Sequence, residues 1–286
     1  MKPGETVDGR YVLERLIGRG AMADVYAAHD YQTGSNVALK VLHRSVAGDP
    51  QALQRFQREA RVQGMIRHRN VAKVYGGSMT REGEPYLVLE LLRGYSLKDV
   101  IESYRRVQVV RGCSYIWQAL QGLAAAHSKG ILHRDLKPAN LMLEPSPGPV
   151  ERVSVIDFGF ASLEGGVTVT RQGEVVGSLS YMAPERLQGK KATERSDLYS
   201  VACILYEILV GHRPFTAKTD YQLITKQVQD PAVPPRTANP EAGIPVEVEA
   251  VIMRALTKNP DYRQQSALSM ADDLEVAAQY YVSTQG

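Results

Sequence analysis

His133-Arg134-Asp135-Leu136-Lys137-Pro138-Ala139-Asn140 is the stretch on which the reading of this chain turns. Before it lies an apolar run of helical spacing, residues 113–127, closed by Ser128-Lys129-Gly130. After it come two short strand-like runs, Leu141-Met142-Leu143 and Val153-Ser154-Val155-Ile156, the second leading into Asp157-Phe158-Gly159. One loop thus supplies a carboxylate, an ammonium group and an amide oxygen, and a second carboxylate follows across a hairpin. Pairing the two strands brings Asn140 and Asp157 together as oxygen ligands of the kind that Mg²⁺ takes alongside phosphate oxygens. Asp135 is the candidate to orient an acceptor hydroxyl and take its proton, and Lys137 to offset charge on a transferred phosphoryl group. A lone loop aspartate is more often a turn residue; five such residues at fixed spacing are not explained that way.

Working outward toward the N-terminus, residues 11–17 read as a strand, Gly18-Arg19-Gly20-Ala21-Met22-Ala23 as a turn, and residues 24–29 as a second strand. Glycines between two strands let backbone N–H groups approach phosphate oxygens with no Cβ in the way. No helix follows the turn, which disfavours a dinucleotide-binding βαβ unit. In Val37-Ala38-Leu39-Lys40-Val41 the period of two puts Ala38 and Lys40 on one face, with room for an adenine ring beside Ala38 and Lys40 within reach of phosphates. Asp49-Pro50 is a helix start, and Leu53, Phe56 and Ala60 follow at helical spacing with Glu59 at the edge of their face. Residues 86–92 read as a buried apolar strand.

These segments together resemble the eukaryotic-type (Hanks-type) serine/threonine protein kinases. Arg55-Phe56-Gln57-Arg58-Glu59, Asp135-Leu136-Lys137-Pro138-Ala139-Asn140 and Gly211-His212-Arg213-Pro214-Phe215 are most similar to the bacterial members. The resemblance covers roughly residues 11–278. It implies an α+β, two-lobed protein-kinase fold: a small antiparallel-sheet N-lobe with one helix, about residues 1–92, and a larger, mainly helical C-lobe, about residues 93–286, together one kinase domain. It implies ATP with Mg²⁺, or Mn²⁺ as a substitute, and transfer of the γ-phosphoryl group to serine or threonine hydroxyls of protein substrates. A lysine two residues after the loop aspartate, here Lys137, goes with that specificity. Nucleotide contacts fall by resemblance on Ile17, Gly18, Gly20, Val25, Ala38, Lys40, Leu89 as gatekeeper, the backbone of Glu90 and Leu92, and Met142. Lys40 pairs with Glu59, and Asn140 and Asp157 hold the metal.

The same resemblance makes residues 157–185, ending in Ala183-Pro184-Glu185, an activation segment. Arg134 awaits a phosphate on Thr168 or Thr170, which would place roughly −1.5 to −2 charges opposite it; Ser178 bonds the catalytic loop. Asp197 anchors the backbone of that loop, and Arg263 pairs with Glu185 as a buried ion pair. Two departures stand out: Ala23 replaces the third loop glycine, and Ala202 stands where the family usually has glycine. Autophosphorylation is expected, with a homodimer for reaction in trans as one arrangement. The different-class alternative is a nucleotide-binding pseudokinase or scaffold, which usually lacks the equivalents of Lys40, Asp135 or Asp157. Small-molecule kinases of related core lack the Ala-Pro-Glu segment.

Composition excludes little but fits this. At 286 residues the chain suits two lobes, and a net charge of +3 gives no reason to expect nucleic acid or direct membrane contact. Cys113 and Cys203 match no metal-ligand spacing and read as buried thiols of a reducing compartment. Residues 201–210, the most apolar run, are too short to span a bilayer and contain Glu207. The N-terminus lacks the apolar core of a secretory signal. A cytoplasmic protein is expected, or the cytoplasmic domain of a longer, membrane-anchored one. Residues 231–245, with five of the fifteen prolines, read as a loop, and residues 266–281 as a closing helix.

Overall fold

Alternating apolar residues build the first of two units, residues 1–93 and 94–286, into which the chain divides. The computed structural model describes residues 1–20, 22–148, 150–158 and 179–285; the side chains of Arg55, Glu59 and residues 280–285 fall outside that description. The first unit is a six-stranded antiparallel sheet of β1 (Thr6–Val7), β2 (Tyr11–Arg19), β3 (Ala23–Asp30), β4 (Ser35–Leu42), β5 (Val74–Met79) and β6 (Pro85–Glu90), in the order β1-β2-β3-β4-β6-β5. Val37, Leu39 and Val41 pack on one face with Leu13, Tyr26, Tyr86 and Val88. Leu42, Ala23 and Leu87 pack on the other with Phe56 from helix α1 (Pro50–Gln63). The two-residue period of the sequence has thus become two separate apolar layers.

The helix begins as its first residues dictate. Asp49 caps it by accepting the Gln51 N–H at 2.9 Å, and Pro50 occupies the first turn, where a missing N–H costs nothing. The run 86–92, read from periodicity as one strand and by resemblance as a strand running into the hinge, divides at Glu90. β6 ends at Glu90, whose Cα partner is Val37, and Leu91 and Leu92 continue outside the ladder.

The second unit starts with a three-stranded sheet of β7 (Tyr95–Ser96), β8 (Leu141–Glu144) and β9 (Arg152–Val155). Gly94 precedes it, where a Cβ would collide with the Leu143 carbonyl. Among the described residues, the longer helices of the remainder are α2 (Leu97–Tyr104), α3 (Val109–His127), α4 (Glu194–Val210), α5 (Asp220–Gln229), α6 (Val246–Ala255) and α7 (Ala267–Gln285), which closes the unit. α4 is buried at every position from Ser196 to Val210, so it packs on all sides rather than presenting one amphipathic face. No described helix is long and apolar enough to cross a membrane.

Helix boundaries differ from the sequence reading in physical ways. α3 starts at Val109, ahead of residue 113, because Gly112 is not a stop. A Cβ there would lie 2.8 Å from Leu209 Cδ2 and 3.3 Å from Ile208 Cδ1, so glycine permits close packing of α3 on α4. The proline-rich stretch 231–245 is not a plain loop. Pro235 and Pro240 each open a short helical turn, Pro235–Ala238 and Pro240–Ala242.

The hairpin between β8 and β9 is tied down by Glu151. Its carboxylate accepts from Tyr95 Oη at 3.0 Å, Tyr115 Oη at 2.8 Å and the Arg111 guanidinium, while its carbonyl accepts from Gln118 Nε2 at 2.9 Å. Burial alone would raise this carboxyl, but the donors from Arg111, Tyr115 and Tyr95 outweigh it and hold the group at about 2. A depressed carboxyl contributes stability above its unfolded value and loses it as pH falls toward its folded one. Glu151→Gln is therefore expected to lower stability at pH 7 by about 1.5–3 kcal/mol and to flatten the acid limb of the pH–stability curve between about pH 4.5 and 2. Denaturant titrations of parent and variant at several pH values check this; parallel acid limbs would contradict it.

Candidate active site

The decisive loop emerges from the end of α3. After His127 the chain turns through Gly130, at φ +70°, and runs to a 3₁₀ turn at Pro138–Asn140 that feeds β8. It hangs from one buried carboxylate. Asp197, in the first turn of α4, accepts the His133 N–H at Oδ2 and the Arg134 N–H at Oδ1, both at 2.9 Å. His127 Nε2 lies 2.9 Å from the same Oδ2. Burial would raise the Asp197 carboxyl, yet the His127 bond and the loop N–H groups hold it below the ordinary range. This is the anchoring role that the resemblance implied, and His127 is a third partner that sequence reading missed.

The anchor fixes an unfavourable backbone. Arg134 (φ +69°) and Asp157 (φ +52°) are two of four non-glycine residues with positive φ among the described residues. Such conformations cost about 1–3 kcal/mol each and persist where surrounding bonds over-determine them. Here Asp197 holds Arg134 from its N–H.

His133 joins the loop to the strand that carries the second carboxylate. Its Nε2 is 3.0 Å from the Ile156 carbonyl, its Nδ1 accepts the Asp135 N–H at 3.3 Å, and its ring centroid is 4.8 Å from that of Phe158. Those partners require Nε2–H and a bare Nδ1, and complete burial lowers the imidazole pKa, which keeps it neutral.

Within this frame Lys137 Nζ donates to Asp135 Oδ2 at 2.8 Å. Both side chains are partly exposed, so a substrate group can reach them. Asn140 Nδ2 donates to the Asp135 carbonyl at 2.8 Å, which turns Oδ1 into the end available as a ligand. The Ile156 N–H donates to the Asn140 carbonyl at 3.0 Å, so Asp157 follows one residue beyond that bond. An amide oxygen and a carboxylate fit Mg²⁺, which binds through one or two carboxylates plus phosphate oxygens and retains water.

In the first unit, the register sets Val25 opposite Lys40 and Lys40 opposite Leu87, and sets Ala27 opposite Ala38 and Ala38 opposite Leu89. Val25, Ala38, Lys40 and Leu89 therefore share one sheet face, the one that also carries the Phe56 layer. Gly18 and the exposed Ile17 lie near the end of β2, which closes at Arg19, and the Gly20 N–H closes the turn on the Ala23 carbonyl at 3.0 Å. A Cβ on Gly20 would lie 3.0 Å from that same carbonyl. The Glu90 N–H is taken by the Lys73 carbonyl at 2.9 Å, so a ligand contact from Glu90 would come through its own carbonyl. Leu92 and Met142 are half-buried, the latter in β8 of the second unit. Glu59 lies in α1, but its side chain, and so its pairing with Lys40, is outside the described residues, as are Thr168, Thr170 and Ser178.

The Ala183-Pro184-Glu185 end of the segment is locked as expected. Arg263 Nη1 and Nη2 donate to Glu185 Oε1 and Oε2 at 2.9 and 2.8 Å, and the arginine is fully buried. Further donors of Arg263 reach the carbonyls of Thr257, Arg195 and Lys258. Ser196 Oγ gives Glu185 Oε1 another bond at 2.7 Å. Sequence reading noted Glu207 within α4 but not what it and Ser200 hold. Glu207 accepts Tyr181 Oη at 2.6 Å, and Ser200 Oγ donates to the Tyr181 carbonyl at 2.7 Å. The signal was present: Ser200 and Glu207 interrupt an otherwise apolar helix, and buried polar groups have partners.

An antiparallel sheet with one capped helix in the first unit, and a helix-hung carboxylate loop in the second, define the protein-kinase class of fold. The protein kinase domain family matches residues 11–273, and the chain belongs to that family. It is 37% identical over 280 residues to a probable serine/threonine-protein kinase of Streptomyces coelicolor, covering 96% of this chain and 41% of that protein. It is 36% identical over 270 residues to the serine/threonine-protein kinase PknB of Mycobacterium tuberculosis, covering 93% and 42% respectively. The chain thus spans about two fifths of the length of these curated relatives. The crystal structure of the Mycobacterium tuberculosis PknI kinase domain is similar at a TM-score of 0.72 and 25% identity, over 97% of this chain and 99% of that one.

Proposed function

We propose that residues 1–286 act as one kinase domain that transfers the γ-phosphoryl group of ATP to serine or threonine hydroxyls of proteins. The observation that carries this reading is the Asp135–Lys137 pair at 2.8 Å in a loop suspended from Asp197. Membership of the family and the serine/threonine kinase names of its relatives support it. In this reading Asp135 Oδ accepts the hydroxyl proton as the oxygen attacks, and Lys137 lies against the phosphoryl oxygens. Asn140 Oδ1 and Asp157 would hold Mg²⁺, with Mn²⁺ as a substitute; the ion supplies charge neutralisation of the phosphates when bound. Lys40 serves the phosphates from the first unit, with Glu59 aiming it, and Ile17, Gly18, Gly20, Val25, Ala38, Leu89, Glu90, Leu92 and Met142 receive the nucleotide.

Retention of Lys40, Asp135 and Asp157 favours catalysis over a nucleotide-binding scaffold. Purified protein incubated with Mg²⁺ and γ-labelled ATP is expected to label a basic protein substrate, and chelation is expected to abolish the label. Nucleotide binding with no Mg²⁺-dependent label would favour the scaffold. The same reading includes autophosphorylation, in a homodimer if it runs in trans, with Arg134 as the phosphate's partner. Thr170→Ala is then expected to lower activity several-fold and Thr168→Ala to do less. Equal turnover by the parent and both variants would remove the switch.

A further inference from the structure

In the kinase reading, Met142 is the residue through which the second unit receives the nucleotide. Its neighbours in β8, Leu141 and Leu143, are fully buried, whereas Met142 is half-buried, so it marks the open face of the β7-β8-β9 sheet. It follows the metal-assigned Asn140 by two residues. Across the sheet it pairs with Ser96 of β7 and Ser154 of β9. β9 carries four paired residues, but β7 is an edge strand of two, Tyr95 and Ser96. A ladder that short is marginal on its backbone bonds alone.

A side chain reinforces it. Tyr95 stands opposite Leu143, so its ring lies behind the open face, and its Oη donates to Glu151 Oε1 at 3.0 Å. The same carboxylate is fixed to α3 by Tyr115 Oη at 2.8 Å and by the Arg111 guanidinium. α3 also reaches β9 directly, where Gln118 Oε1 accepts the Val153 N–H at 3.0 Å. The β8–β9 hairpin is therefore tied to α3 without Tyr95, whereas β7 is tied to α3 through it. Gly94 lies so close under the Leu143 carbonyl that a Cβ would collide there, and the chain that carries Leu92 enters the second unit through Gly94 and Tyr95.

We infer that Tyr95 is a positioning residue for the nucleotide: through Glu151 it pins β7 to α3 and so fixes the Met142 face from behind. This inference rests on the kinase reading and deepens it, naming what in the second unit sets nucleotide affinity. The catalytic loop has its own anchor in Asp197, so releasing Tyr95 weakens nucleotide binding and leaves turnover alone. Tyr115 is the contrasting residue. It bonds the same carboxylate from α3, and loss of its hydroxyl leaves the line from Tyr95 through Glu151 to Arg111 intact.

Equilibrium binding of MgADP to the whole chain, alongside steady-state kinetics, tests this. Tyr95 is 41% exposed, and Tyr95→Phe keeps the ring and the ladder, so the fold survives and only the donor is lost. The variant is expected to raise the Kd for MgADP and the KM for ATP about three- to ten-fold. Its kcat and its KM for a protein substrate are expected to stay near parent values. Tyr115→Phe, which removes a buried hydroxyl, is expected to lower the melting temperature at least as much and to leave both nucleotide constants near those of the parent. Unchanged nucleotide constants in Tyr95→Phe, or an equal rise in the two variants, overturns the inference, since the cluster would then serve stability alone. A fall in kcat with no change in Kd overturns it equally. A parent protein that binds no MgADP would instead remove the kinase reading beneath it.

Discussion

Replacing Asp135 with Asn is expected to lower kcat for phosphoryl transfer by about 10²–10⁴-fold, the usual contribution of a positioned general base. An amide of nearly the same shape can still accept from Lys137 Nζ, but it cannot take a proton from the acceptor hydroxyl. The loop should survive the change, because its backbone is held by other groups. The His133 and Arg134 N–H groups bond Asp197, and Asn140 Nδ2 bonds the Asp135 carbonyl and not its carboxylate. Activity and melting temperature should therefore part company: a large fall in the first with little change in the second. A variant that turns over like the parent would remove Asp135 from the role of base. A variant that unfolds would show that the carboxylate is structural.

The second large effect concerns stability. Arg263→Ala is expected to cost about 3–5 kcal/mol, because it strands the Glu185 carboxylate in a buried site and removes a donor from the carbonyls of Thr257, Arg195 and Lys258. For a unit of this size that corresponds to a fall in melting temperature of roughly 6–20 °C. The paired replacement Glu185→Leu with Arg263→Met should be less harmful than either single change, since it removes both charges together. Thermal melts of the three variants check the coupling. If the single changes cost under about 1 kcal/mol and add independently, the pair is not the lock that its geometry indicates.

Much of this was legible beforehand because it depends on local rules. The alternation in residues 37–41 gave both faces of β4, and Asp49-Pro50 gave the start of α1. The pairing of β8 with β9 followed from two short apolar runs flanking a proline-rich turn, and with it the neighbouring positions of Asn140 and Asp157. What escaped depends on partners distant in sequence. The residues that α3 adds ahead of 113 escaped, since only the Ile208 and Leu209 side chains of α4 show why a glycine stands at 112. Glu151 is 40 residues from Arg111 and 36 from Tyr115, and no periodicity connects them. Gln227 in α5 gave no signal at all, since one glutamine on an amphipathic helix is ordinary until the Leu179 carbonyl, 48 residues away, proves to be its acceptor. Periodicity alone carried β6 too far for the converse reason: Leu91 and Leu92 continue the apolar pattern but have no ladder partner.

The central claim is that the Asp135 loop transfers phosphate to serine and threonine. Phosphosite mapping by mass spectrometry, on the parent and on Asp135→Asn produced identically, tests it most directly. The account predicts phosphoserine or phosphothreonine on the parent chain, Thr170 among the sites, and none on the variant. The same sites at the same occupancy on both proteins would contradict it.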